Sequence, residues 1–218
     1  MSARAPAESR SAMESRSAME SRRADAAERL LASARELTLR AGGTSFTVAQ
    51  VVSLSGTSLK TFYRCFSGKD ELLVALFAGD ARMGASALGE LVDRHTEPIE
   101  RLRSAVVGLF GFIARDGNLP YAAALVREHL RLAESRPEEL RLVLRPLVEV
   151  FEREIAAAQA CGAIREGDAR RDAGILFQLV SAHLHAVIFH QIDGPPARVA
   201  EELWAFCEAA LRPRSSLS

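Results

Sequence analysis

Thr44-Ser45-Phe46-Thr47-Val48-Ala49-Gln50-Val51-Val52-Ser53-Leu54-Ser55-Gly56-Thr57-Ser58-Leu59-Lys60-Thr61-Phe62-Tyr63-Arg64-Cys65-Phe66-Ser67-Gly68-Lys69-Asp70-Glu71-Leu72-Leu73 decides the fold of this chain. Its spacing predicts two short amphipathic helices, over 47–54 and 58–65, joined by Ser55-Gly56-Thr57. A longer helix follows from Lys69, with Leu72, Leu73, Leu76 and Phe77 on one face. Two short helices across a Gly-containing turn have the form of a helix-turn-helix, and Gly56 supplies the backbone freedom a tight turn needs. The second helix carries Ser58, Lys60, Thr61, Tyr63 and Arg64 around Leu59 and Phe62, which are expected to pack inward. Short polar and basic groups of this kind suit a phosphate wall and base edges in a major groove.

Upstream, Leu30, Leu31, Ala34, Leu37 and Ala41 recur at helical spacing from Asp25 onward, and Gly42-Gly43 ends the run. Before that helix a hexamer, Glu-Ser-Arg-Ser-Ala-Met, repeats at 8–13 and 14–19. It is polar and without large aliphatics, so a disordered tail is expected over 1–22, with Met13 and Met19 as alternative starts inside it. Downstream of Arg94 five more helices are expected. Thr96 and Pro98 open the first and Asp116-Gly117-Asn118 close it; the second runs from Leu119 to about Ala133. Ser135 and Glu138 have the capping-box spacing for a third, reaching Ala160 with a bend at Pro146. Asp168 caps a fourth over 169–192, and Pro195-Pro196 introduce the last. The fold class is therefore all-α, with nine helices.

Composition agrees with a folded, helical protein rather than a secreted or membrane one. At 218 residues and 48% hydrophobic, the chain can bury a substantial core. No apolar leader is apparent, and the most apolar stretch, 173–192, is interrupted by His183, His185 and His190, so a cytoplasmic location and no membrane partner are expected. Cys65, Cys161 and Cys207 are too scattered for a disulfide framework or a zinc site. The net charge of zero hides an asymmetry: residues 22–69 hold eight Lys/Arg against three acids, while the 149 residues beyond hold 17 against 22. A basic module on an acidic body fits a nucleic-acid binder with a second domain.

The run from Thr47 to Leu73 resembles the TetR-family DNA-binding domain, whose hallmark is Gly-x-Ser-x-x-Thr-hydrophobic-Tyr-x-x-Phe-x-x-Lys-(Asp/Glu)-x-Leu. Gly56, Ser58, Thr61, Phe62, Tyr63, Phe66, Lys69, Asp70 and Leu72 meet it position by position. The close match covers about 55 residues; the remainder is similar in helix number, length and the Cys161–Asp168 turn. The resemblance implies that Thr47 caps the second helix and can reach a phosphate, that Tyr63 and Lys69 contact phosphate oxygens, and that Ser58, Lys60 and Thr61 lie on the DNA-facing side. Lys60 and Thr61 are then the base readers. Val52, Ser55 and Thr57 depart from the family's usual Ala, Ala and Val, which implies altered packing between the crossed helices and an unpredictable operator.

The same resemblance implies a three-helix DNA-binding domain over 23–69, a helical effector-binding and dimerisation domain over 70–212 and a tail over 213–218. The expected effector pocket is Phe110, Ile113, Leu125, His129, Phe151 and Phe177, and the expected dimer interface Phe177, Val180, Leu184, Val187, Leu203 and Phe206. His183, His185 and His190 do not share a helix face, so no metal is expected; no catalytic constellation, phosphate loop or cofactor motif appears. Expected partners are double-stranded DNA, a second copy of the chain and a small, largely apolar effector that releases a repressor from a palindromic operator. The alternative is the same DNA-bound fold controlled by a protein partner or by no ligand.

Overall fold

A computed structural model describes the backbone of residues 5–115 and 118–213, with side chains from Arg16 onward. Among the described residues there are nine helices and no strand. The chain divides into two compact units between Leu76 and Phe77, within a helix rather than at the expected 69/70 boundary.

The first unit is built from α1 (Ala5–Ala41), α2 (Val48–Ser55), α3 (Leu59–Cys65) and the start of α4 (Lys69–Val92). Here the structure differs from the expected tail: from Ala5 the backbone is helical. Pro6 sits in the first turn, where its missing donor costs nothing. No Gly or Pro interrupts residues 7–41, and Ala, Met, Glu and Arg propagate a helix outward from its packed end. Residues 16–25 stay exposed, and burial begins at Ala26. From there Ala26, Leu30 and Ala34 face inward, and α1 packs on both α2 and α3. Val51, Phe62, Cys65, Phe66, Leu72, Leu73 and Leu76 complete the buried set, with the Phe62 and Phe66 rings 5.8 Å apart.

The second unit holds the rest of α4 with α5 (Pro98–Ile113), α6 (Asn118–Ser135), α7 (Pro137–Ala160), α8 (Ala169–Ile188) and α9 (Pro196–Leu211). One continuous core joins Leu88 and Val92 to Leu102, Val106 and Phe110 of α5, Phe151 and Ile155 of α7, Leu176 and Phe177 of α8, and Leu203 and Trp204 of α9. Burying each large apolar side chain contributes roughly 1.5–3 kcal/mol. At Gly108 a Cβ would stand 2.6 Å from Leu91 Cδ2 and 2.9 Å from Leu88 Cδ1, so this glycine lets α5 approach the end of α4. The α4 helix has the length and apolarity of a membrane span, but Leu72, Leu73, Leu76, Phe77, Leu88 and Val92 are buried in protein and Asp80 and Arg82 stand mid-helix.

Three expected boundaries are corrected. Ser135 is not a cap: it ends α6, its hydroxyl donating to the Leu132 carbonyl at 3.4 Å, and Arg136 precedes α7 without a side-chain cap. Glu97, not Thr96, is the residue before α5, with Pro98 in its first turn. The α8 helix stops at Ile188, because His190 takes a positive φ of 54°. Asp116 and Gly117 of the expected closing turn lie outside the described residues, as do the side chains of the hexamer at 8–13.

A buried charge in this unit had no local sequence signal. Glu154 of α7 is 1% exposed and receives Arg101 of α5 through Nε at 2.6 Å and Nη2 at 3.1 Å, with Arg153 Nε at 2.6 Å. Arg101 also donates to the His95 carbonyl and to Asp93. Its guanidinium is held above its ordinary value, first by the Glu154 hydrogen bond.

Candidate nucleic-acid interface

Local hydrogen bonds fix the shape of the 47–66 segment. Thr47, at φ −96°, caps α2: its Oγ1 accepts from the Gln50 amide at 3.2 Å, and Gln50 Oε1 accepts from the Thr47 amide at 2.7 Å. This reciprocal box satisfies two donors that a helix start leaves without partners. At the other end Gly56 adopts φ 62°, ψ 28°, where an L side chain would be strained, and the Gly56 and Thr57 amides close on Ser53 O and Val52 O. The departures at 55 and 57 meet here: the Ser55 and Thr57 hydroxyls lie 2.8 Å apart, and Ser55 Oγ also donates to Val52 O. Ser58 then caps α3, its Oγ accepting from the Thr61 amide at 3.1 Å.

Because only Phe62 and Cys65 of α3 are buried, the opposite side of the helix faces outward. Lys60, Tyr63 and Arg64 are exposed there, and Thr61 is half-buried beside them. Tyr63 is 60% exposed while its ring edges onto Phe62 at 5.3 Å, which orients the phenol. Leu59, expected to pack inward, is instead 51% exposed. At 100° per residue it lies at the flank of the Phe62/Cys65 face, about a quarter-turn off its centre.

Lys69 is part-buried. Its Nζ donates to the Thr44 carbonyl and stands 4.8 Å from the centre of the Phe46 ring, which ties the start of α4 to the turn before α2. Glu71 Oε2 accepts from the Ser67 amide at 2.6 Å and holds the same corner. The family resemblance implies a phosphate contact for Lys69; its interior role has no periodic signature.

Residues 30–76 match the family described as bacterial regulatory proteins, tetR family. The chain carries a TetR-family DNA-binding domain. No functionally curated protein matches it in sequence. In fold it is similar to the transcriptional regulator FadR from Bacillus subtilis, solved in complex with stearoyl-CoA, with a TM-score of 0.68 and 17% identity over 85% of this chain and 99% of that one. RolR, solved with resorcinol, is similar at a TM-score of 0.69 and 16% identity, covering 89% and 91%. The reduced form of Escherichia coli NemR is similar at 0.66 and 16%, covering 85% and 96%.

The expected C-terminal pocket residues lie in different surroundings. Phe110, Phe151 and Phe177 are buried in the continuous core, with Phe151 and Phe177 6.1 Å apart, and Ile113 packs at its edge. Leu125 and His129 are half-buried on α6. His129 lies against Phe77, ring centres 6.4 Å apart, and within electrostatic reach of His185 on α8. Burial lowers the pKa of both histidines, and the charge of His129 lowers His185 further. Tyr121 Oη donates to Asp80 at 2.6 Å, a second contact between α6 and α4.

The expected interface residues divide between core and surface. Phe177, Val180, Val187 and Leu203 are buried within a single chain, because α8 turns that side toward its own core. Leu184 is half-buried. What stays outside is Phe206, 65% exposed, and an α8 face of Gly174, Ile175, Gln178, Leu179 and Ala182 around a shallow depression of about 560 Å³. The three histidines go separate ways: His183 Nδ1 meets the Leu179 carbonyl at 2.9 Å, His185 turns to His129, and His190 is exposed.

Proposed function

We propose that this chain is a dimeric, cytoplasmic transcriptional repressor whose α3 helix enters the major groove of a palindromic operator. One observation carries the reading: α3 is capped at Ser58, pinned inward by Phe62 and Cys65, and exposes Lys60, Tyr63 and Arg64 together. Lys60 and Thr61 read bases, Thr47 and Tyr63 meet phosphates, and Lys69 braces the corner that presents them. Two such helices about 34 Å apart match successive half-sites on one face of the duplex, which requires a second copy. The exposed α8 face around Ile175 and the α9 residue Phe206 supply an apolar surface for it.

The effector is a small, largely apolar molecule with a polar end. Phe77 and Leu125 offer apolar walls, while Tyr121, His129 and His185 offer a few polar groups of the kind small-molecule sites use. Stearoyl-CoA in FadR and resorcinol in RolR are of this mixed character. Binding favours a form of the dimer in which the recognition helices no longer match operator spacing. The burial of Phe110, Phe151 and Phe177 in one continuous core favours a second reading, in which the same DNA-bound fold answers to a protein partner or to nothing.

Sedimentation and duplex binding test the assembly: Ile175→Asp gives a monomer that loses operator affinity, whereas a wild-type protein that sediments as a monomer and binds genomic fragments no better than random DNA overturns it. Thermal-shift screening against acyl-CoAs and phenols separates the two modes of control. A ligand at 100 times its Kd adds about 2.7 kcal/mol; no shift with any compound supports the second reading.

A further inference from the structure

We propose that Leu59 reads the C5-methyl group of a thymine in each operator half-site, so that an apolar contact, and not hydrogen bonding alone, sets the sequence this protein selects. The inference rests on α3 being the recognition helix. Its starting point is the placement of an aliphatic side chain, 51% exposed, as the first residue of α3 directly after the Ser58 cap. Residues at the start of a recognition helix are the ones that approach base edges.

A single exposed leucine on a protein surface needs no explanation; the surroundings of this one give it meaning. The inward side of α3 is already occupied by Phe62 and Cys65, so Leu59 is left over from the packing of the unit. It stands one turn from Tyr63, which is 60% exposed, so the two make an apolar flank along α3. Lys60 and Arg64 repeat the same four-residue step on the adjoining flank, both exposed. The helix thus presents a row of cations that donate hydrogen bonds and, beside it, a row whose first residue, Leu59, cannot.

The major groove has one apolar feature that distinguishes base pairs, the thymine methyl; guanine, cytosine and adenine present only donors and acceptors there. A leucine opposite guanine O6 and N7 or adenine N6 would strip water from polar atoms and return nothing, so Leu59 disfavours those bases as well as favouring thymine. Lys60, the next residue, supplies donors suited to guanine. The expected half-site therefore holds a thymine close to a guanine.

Deoxyuridine lacks only the methyl, which makes it the direct probe. Duplexes are first selected with the full-length protein from a random pool, and each thymine of the selected half-site is then replaced singly by deoxyuridine. Wild type should show one sensitive thymine per half-site. Its replacement weakens binding about 4-fold, the equivalent of about 0.8 kcal/mol for one buried methyl, and replacement in both half-sites compounds the loss. Leu59→Ala should bind thymine and deoxyuridine duplexes equally while keeping the wild-type salt slope, because no charge is removed. If no thymine is sensitive, or Leu59→Ala loses the same factor as wild type on deoxyuridine, the assignment of Leu59 falls while salt-dependent, sequence-selective binding leaves the regulator reading standing. Absence of any selected sequence overturns both.

Discussion

The α3 helix buries two side chains and leaves Leu59, Lys60, Tyr63 and Arg64 in water, whereas α8 buries seven, from Asp172 to Ile188, and keeps only a strip around Ile175 outside. The first is held in shape by its caps and by two apolar anchors. The second is held by packing against α6, α7 and α9. The physical consequence is a division of labour between surface and core. A substitution on the outward side of α3 changes what the protein can touch and leaves its stability nearly intact, while the same change on the inward side of α8 or its neighbours is felt in folding.

The largest expected effect lies in the packed unit. Arg101→Ala removes the bidentate partner of Glu154, a carboxylate that is 1% exposed, and leaves it with Arg153 alone. Removing one partner of a buried pair typically costs about 3 kcal/mol or more, so urea unfolding should show a marked loss. A variant as stable as wild type would mean that the core of this unit does not bury that charge. Smaller, and in the other region, is Ser58→Ala. It deletes the acceptor of the Thr61 amide, and loss of a cap costs about 1 kcal/mol. The first unit should melt slightly earlier, and operator affinity should fall as α3 frays; unchanged affinity would show that the cap does not present the reading surface.

The smallest effect is a pH dependence confined to the second unit. His129 and His185 have folded-state pKa values below the ordinary 6.5, both through burial first and His185 also through the charge of His129. The unfolded chain therefore takes up protons first as pH falls, so the stability these groups contribute is complete above about pH 7 and is lost as pH drops through 6.5 and then through the lower folded values. Thermal melts from pH 7.5 to 5 should decline, and His129→Gln with His185→Gln should flatten that decline. An equal slope in the double variant would assign the pH dependence to other groups.

The two regions also differ in how far their residues can be read without coordinates. The turn at Gly56 and the Thr47 cap, the latter implied by the family resemblance, involve neighbours within three residues and are legible in the sequence; the Ser58 cap is as local but forms no part of the expectation. The three-residue step from Leu59 to Phe62 mimics an apolar stripe, but two buried residues define too narrow a face to include Leu59. In α8 apolar residues surround the helix, and nothing local says which side meets the chain's own core, where Phe177, Val180 and Val187 are buried. The Arg101–Glu154 pair joins residues 53 apart in sequence and left no periodic trace. The Lys69 ammonium, bound to Thr44 across 25 residues, was hidden in the same way.

The most direct test of the central claim, that the outward side of α3 is a DNA-reading surface, is the affinity of Lys60→Ala for a selected duplex measured beside its melting temperature. The account predicts a loss of about 1–3 kcal/mol in binding, with relaxed selectivity at one position, and a melting temperature equal to that of the wild type. Wild-type affinity and selectivity in Lys60→Ala would contradict it.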